Sequence, residues 1–153
     1  VPILTVIREL YNPFINALFI KILNGSGNQI VTKDEAYEAF QRRIPKGMCP
    51  GIMIDQHAGK KALFVPFMGK KAYTAASPAV LAMKFQIPIY VVSLVRESFF
   101  RFRFFCQKVS MENLTGDKQK DLETITTNIN QVLESLIRRY PEQWFWMHRR
   151  WRD

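Results

Sequence analysis

Cysteine, histidine and acidic side chains are scarce in this sequence, and each scarcity removes a class of function. Two cysteines stand among 153 residues, Cys49 and Cys106, far apart and without CxxC or metal-ligand spacing. A disulfide framework and a cysteine-based metal site are thereby excluded, and the pair is expected to be reduced core thiols, in keeping with a cytosolic face. The two histidines, His57 and His148, have no second histidine or cysteine beside them, so no metal is expected. No apolar run is long enough to span a bilayer. The nearest, Ala72 to Val95, is interrupted by Pro78, Lys84 and Pro88 and changes period midway. It reads as a helix and then a buried strand, which leaves peripheral attachment through aromatic and basic side chains as the route to a membrane. Repeats and low-complexity segments are also absent. With 48% hydrophobic residues, a single domain with one sizeable core is expected over residues 1–153. There is no initiator methionine, and Val1 opens in mid-strand (VPILTVIR) without a leader, so the expectation is a fragment whose N-terminal part is missing.

The shortage of acidic residues, 13 against 22 basic ones, leaves a formal charge of +9. That charge calls for an anionic partner: nucleic acid, an acidic membrane surface or an acidic carrier protein. Much of it sits in Arg96, Arg101, Arg103 and Lys108 and in the terminal group Arg138, Arg139, Arg149, Arg150 and Arg152.

Read in order, Val1 to Arg8 is an apolar strand ending in a charge, and PFINALFIKILN after Asn12 is a helix with an Asn cap and proline at its first position. Gln29 to Thr32 is a short strand. Thr32 then caps the helix KDEAYEAFQRRI, with Glu35 at capping-box spacing. From Gly51 to Phe85 the pattern is a strand (Gly51 to Ile54), a polar loop (Asp55, Gln56, His57), a weak strand (Ala62 to Phe67), a break at Gly69 and a helix start from Thr74 to Pro78. Ile87 to Val95 is the most β-branched run and reads as an interior strand. In SFFRFRFF, Phe100, Phe102 and Phe104 alternate with Arg101 and Arg103, as in a half-exposed antiparallel strand. Asp117 caps a long helix whose Leu122, Ile125, Ile129, Val132, Leu133, Leu136 and Ile137 share one face. The chain closes in EQWFWMHRRWRD.

Polar residues at strand exits are where α/β proteins place sites, which singles out Arg8, Asp55 and Gln56. Asp55 either caps the following turn or faces a ligand. Arg8 answers to a carboxylate such as Glu9 or Asp55, to a phosphate, or to solvent. His57 alone in a loop reads as an ordinary polar residue. Lys60, Lys61, Lys70 and Lys71 form two doublets suited to phosphate or to solvated loop ends. His148 and Asp153 satisfy an HxxxxD spacing, but the pair follows the last core helix and is set aside as a catalytic motif. The basic, aromatic segment is read instead as a surface for an anionic interface, or as a terminus docked by Trp144, Trp146 and Trp151.

Asp55-Gln56, FVPFMG (Phe64 to Gly69), Ala72 with Thr74, SPAVLA (Ser77 to Ala82), IPIYVV (Ile87 to Val92) and YPEQWFWMHRRW (Tyr140 to Trp151) together resemble the lipid A biosynthesis acyltransferases of the lauroyl/myristoyl type, within the lysophospholipid acyltransferase superfamily. The resemblance implies an α/β fold with a mixed, mostly parallel sheet flanked by helices. It implies transfer of a fatty acyl chain from acyl carrier protein or acyl-CoA to a hydroxyl of a lipid A precursor, without metal, cofactor or covalent intermediate. The location implied is the cytoplasmic face of the bacterial inner membrane. The partners are the carrier protein, the precursor and the anionic membrane surface, and not nucleic acid. The base implied is a histidine of an HxxxxD/E motif placed before Val1, so the fragment would lack it. Arg8 matches the family's strand-end arginine before Asn-Pro and would stabilise charge on the acyl carbonyl or bind phosphate. Asp55, Gln56, Lys60, Lys61 and Thr74 would contact substrate. Trp144, Trp146, Arg149, Arg150 and Trp151 would contact membrane or carrier. An acyl chain needs an apolar cleft, and Phe64, Phe67, Phe85, Phe99, Phe100 and Phe102 are plentiful enough to line one, or are ordinary core residues. Glu9, where proline is common in the family, and Ser77, where glycine is common, depart from its pattern. The rival readings are a basic nucleic-acid-binding module, suggested by SFFRFRFF and the net charge, and a truncated, inactive acyltransferase remnant.

Overall fold

Asn12 and Pro13 begin the first helix as their chemistry dictates. In the computed structural model, which describes residues 2–7, 10–25, 27–60 and 62–152, the Asn12 side chain accepts from the amides of Phe14 and Ile15 at 3.0 and 3.2 Å. Proline in the first turn gives up an amide that had no helical partner. The helix α1 (Pro13–Asn24) belongs to the first of two units, residues 1–53 and 54–153.

In the first unit, β1 (Ile3–Ile7) lies between β2 (Gln29–Thr32) and β3 (Cys49–Gly51), parallel to both. Parallel neighbours require crossovers, supplied by α1 and by α2 (Ala36–Arg43). Leu4, Val31, Phe40 and Ile44 are buried, whereas Phe14, Ile15, Leu18 and Ile22 of α1 are exposed. Two expectations are corrected here. The second helix begins at Ala36, a turn later than Thr32: Thr32 N–H and Oγ1 donate to Glu35 Oε2 at 3.4 and 3.1 Å, but Glu35 itself holds the cap position. The strand expected from Gly51 to Ile54 instead ends at Gly51. That residue passes so close to β1 that an added Cβ would lie 2.8 Å from Ile3 Cγ2.

In the second unit, β4 (Leu63–Phe67) and β5 (Lys70–Thr74) form an antiparallel hairpin. Met68 and Gly69 both take positive φ, 51° and 81°, which is what a two-residue turn matched to strand twist requires. After α3 (Ser77–Phe85) come β6 (Tyr90–Ser98) and β7 (Arg101–Lys108), also antiparallel, and then α4 (Lys118–Arg139), capped by Asp117. The core joins Ala79, Val91 and Val109 to Leu122, Ile125, Ile129 and Leu136. Phe67, Ala72 and Ile137 form a second cluster, with Trp144 and Trp151 packed against it.

The described pairings are two parallel and two antiparallel, so the mixed α/β character stands but the sheet is not mostly parallel. Nor is β6 interior. Val91 and Val95 are buried, while Tyr90, Val92 and Leu94 lie on the opposite face with Phe102 and Phe104 of β7, all more than half exposed. Arg101 and Arg103 both pair with Glu97 near the end of β6. The thiols of Cys49 and Cys106 are free, and both residues are exposed rather than in the core. No helix among the described residues is long and apolar enough to cross a membrane.

Candidate functional site

The Asp55–His57 loop in the second unit is held at two backbone points. The His57 N–H donates to His148 Nε2 at 2.8 Å, and the Ala58 N–H donates to the Tyr73 carbonyl at 3.1 Å. The His57 ring also stands edge-on to Tyr73, with centroids 5.5 Å apart. Asp55 and His57 are half-buried and Gln56 is exposed.

Beneath this loop the terminal segment enters the core. Arg150 is 1% exposed. Its Nη1 donates to the same Tyr73 carbonyl and its Nη2 to Thr74 Oγ1, each at 2.6 Å, and the guanidinium lies 4.8 Å over the Phe67 ring. Thr74 Oγ1 also accepts from Asn130 Nδ2 at 3.2 Å and donates to the Ala72 carbonyl at 3.3 Å, which uses the hydroxyl's full capacity. Asn130 Nδ2 reaches the Pro66 carbonyl at 2.8 Å, and Trp151 Nε1 donates to the Phe67 carbonyl at 3.1 Å. Desolvation lowers the Arg150 pKa, offset in part by the charge of Asp55. No ion pair within 4.0 Å is made by Arg150 among the described residues, so backbone and hydroxyl oxygens carry most of its compensation. The His57 pKa is lowered too, chiefly by desolvation and then by the charge of Arg152.

These positions revise several sequence expectations. Arg150, expected at a membrane or carrier contact, is an interior residue here, because its guanidinium fills the space between β5 and Phe67. Thr74, expected at a helix start and in contact with substrate, ends β5 with 0% exposure and a saturated hydroxyl. Trp144 and Trp151 are half-buried against Phe67, at 6.0 and 5.7 Å between centroids, whereas Trp146 and Arg149 are exposed. Lys60 is exposed; Arg8, Lys61 and Asp153 lie outside the described residues. His148 uses its Nε2 lone pair on the His57 amide and cannot at the same time take a proton from a substrate hydroxyl. The six phenylalanines expected around an acyl cleft are dispersed: Phe67 is fully buried, while Phe64, Phe99, Phe100 and Phe102 are exposed. A hollow of about 220 Å³ between β7 and α4, lined by Phe105, Cys106, Gln107, Ser135, Leu136 and Arg139, includes none of them.

Asn130 was missed by sequence reasoning. Its signal is its place, with Thr126, on the otherwise apolar stripe of α4, where a buried polar residue demands a partner.

A loop of acid, amide and imidazole is thus locked to a basic, aromatic terminal segment within one α/β unit. Over residues 1–153 it matches the bacterial lipid A biosynthesis acyltransferases, and the chain belongs to that family. Its general activity is therefore that of a lipid A acyltransferase. No curated relative matches the chain.

Proposed function

We propose that this protein transfers a fatty acyl chain from an acyl thioester, carried by acyl carrier protein or coenzyme A, to a hydroxyl of a phosphorylated lipid A precursor at the cytoplasmic face of the bacterial inner membrane. The hydroxyl oxygen forms the new ester bond to the acyl carbon, the carbon–sulfur bond breaks, and the departing thiolate takes up a proton. The family match along residues 1–153 is the observation that carries this reading. The formal charge of +9 supports it, since headgroup phosphates, carrier protein and anionic leaflet are all negative.

In this reading Arg8 stabilises negative charge on the acyl carbonyl or engages phosphate. Asp55 and Gln56 shape the acceptor side, Lys60 and Lys61 meet phosphate, and exposed Trp146 and Arg149 contact membrane or carrier. The acceptor's proton goes to a histidine of an HxxxxD/E pair. In this reading the HxxxxD spacing of His148 to Asp153 is set aside as that pair, and the hydrogen bond that His148 Nε2 accepts from the His57 N–H supports setting it aside.

The test is expression of the longest natural form in a bacterium deprived of its own late lipid A acylation. A lipid A mass increased by one fatty acyl group supports the proposal. Unchanged lipid A, with the protein present in the membrane fraction, contradicts it.

A further inference from the structure

We infer that the terminal segment His148–Trp151 is the clamp that fixes the acceptor-side loop, with His148 and Arg150 acting as positioning residues for Asp55 and Gln56. The inference rests on the proposed role of that loop. It is independent of donor and acceptor identity.

Three observations converge on it. The loop amides are held by groups far away in sequence: His57 by the His148 imidazole, 91 residues on, and Ala58 by the Tyr73 carbonyl. That carbonyl is shared, because Arg150 Nη1 donates to it at 2.6 Å, so one oxygen ties the loop to the terminal segment. Finally, the segment is itself braced: the Arg150 N–H bonds the His148 carbonyl at 2.8 Å, and Trp151 is anchored by its indole N–H on Phe67. A tight backbone turn thus places an imidazole acceptor under one loop amide and a guanidinium beside the anchor of the next. The His57 N–H donates no other hydrogen bond among the described residues, so losing the imidazole strands a half-buried donor.

The clamp gives His148 and Arg150 a role in a segment that looks, in sequence, like a basic surface tail. Lysine in place of Arg150 offers a point charge without a planar fork, and cannot reach the Tyr73 carbonyl and Thr74 hydroxyl together in the same geometry. Glutamine in place of His148 still presents an acceptor at a similar reach.

The test uses the full natural chain carrying His148→Ala, His148→Gln, Arg150→Met or Arg150→Lys, with two readouts. Amide exchange at His57 and Ala58 is expected to accelerate about tenfold in His148→Ala, and to return toward the wild-type rate in His148→Gln. In acyl transfer, His148→Ala is expected to raise KM for the acceptor several-fold with donor KM unchanged. Unchanged exchange at His57 in His148→Ala would overturn the clamp, and so would faster exchange with acceptor KM unaltered. If the wild-type chain transfers no acyl group, the functional proposal fails, while the exchange data still decide whether the segment holds the loop. Should the Arg150 variants not fold, the two His148 variants carry the test alone.

Discussion

Arg150 Nη2 lies 2.6 Å from Thr74 Oγ1, in a site where both residues are essentially without solvent contact. A charged donor and a neutral hydroxyl therefore face each other in a low-dielectric interior, where such a bond is stronger than at a surface and its loss costs more. Thr74→Val keeps the shape but removes the acceptor of both Arg150 and Asn130. It is expected to lower unfolding free energy by about 1.5–3 kcal/mol in urea titrations. Arg150→Met, which removes the charge along with the bond, is expected to cost less than Arg150→Ala, and a Thr74/Arg150 double-mutant cycle should show coupling of roughly 1–3 kcal/mol. Additive effects would mean the two side chains do not interact.

Phe67 ties the second hydrophobic cluster to the terminal segment. It is fully buried, stacked on Trp151 and covered by the Arg150 guanidinium. Phe67→Ala is expected to destabilise the protein by about 3–5 kcal/mol and to red-shift tryptophan emission as Trp144 and Trp151 become wetter. Phe67→Leu should do markedly less of both.

The carboxylate of Asp121 accepts from the Thr115 amide at 2.7 Å, the Thr115 hydroxyl at 3.0 Å and the Gly116 amide at 3.0 Å, bonds that hold its pKa below the ordinary aspartate value despite desolvation. A carboxyl with a depressed folded pKa binds fewer protons folded than unfolded. Its stabilisation is complete above the ordinary value and is lost as pH falls through the depressed one. Asp121→Asn should therefore weaken the protein at neutral pH and make its acid-induced unfolding less steep, read from denaturation midpoints across the acid range.

At the surface, Arg149 and Trp146 are exposed, with Trp146 at 52% exposure. Neutralising Arg149 is expected to weaken partition onto vesicles rich in anionic lipid about fivefold, with the effect vanishing at high salt. Equal binding by wild type and Arg149→Ala would assign this residue no part in membrane contact.

Under the proposed function Arg8 meets developing charge on the acyl carbonyl or a phosphate. Arg8→Ala is expected to lower kcat by about 10²-fold or more with an unchanged melting temperature, as for loss of a group that meets developing charge. Retained turnover would remove it from the reaction.

Local chemistry made much of the secondary structure readable. Asn12 with Pro13, and Asp117 ahead of an apolar stripe, mark helices that form where these signals stand, because capping and 3.6-residue periodicity act within a turn or two. The helix start read between Thr74 and Pro78 holds, since α3 begins at Ser77, but Thr74 itself ends a strand, which only the pairing Leu63↔Thr74 reveals. The β-branched run after Ile87 suggested burial on both sides, yet exposure depends on what packs there, and β6 has core on one face. Asp55 and Gln56 stood out as a polar tip. Their anchor did not, since the contact of His57 with His148 spans 91 residues and leaves no periodic trace.

The most direct measurement combines the purified full-length protein with an acyl thioester of acyl carrier protein or coenzyme A and a phosphorylated lipid A precursor, and follows product mass. The account predicts a precursor heavier by one acyl group less the replaced hydrogen, with one free thiol released per ester formed. Thiol release without any change in precursor mass, or no reaction with either donor, would contradict it.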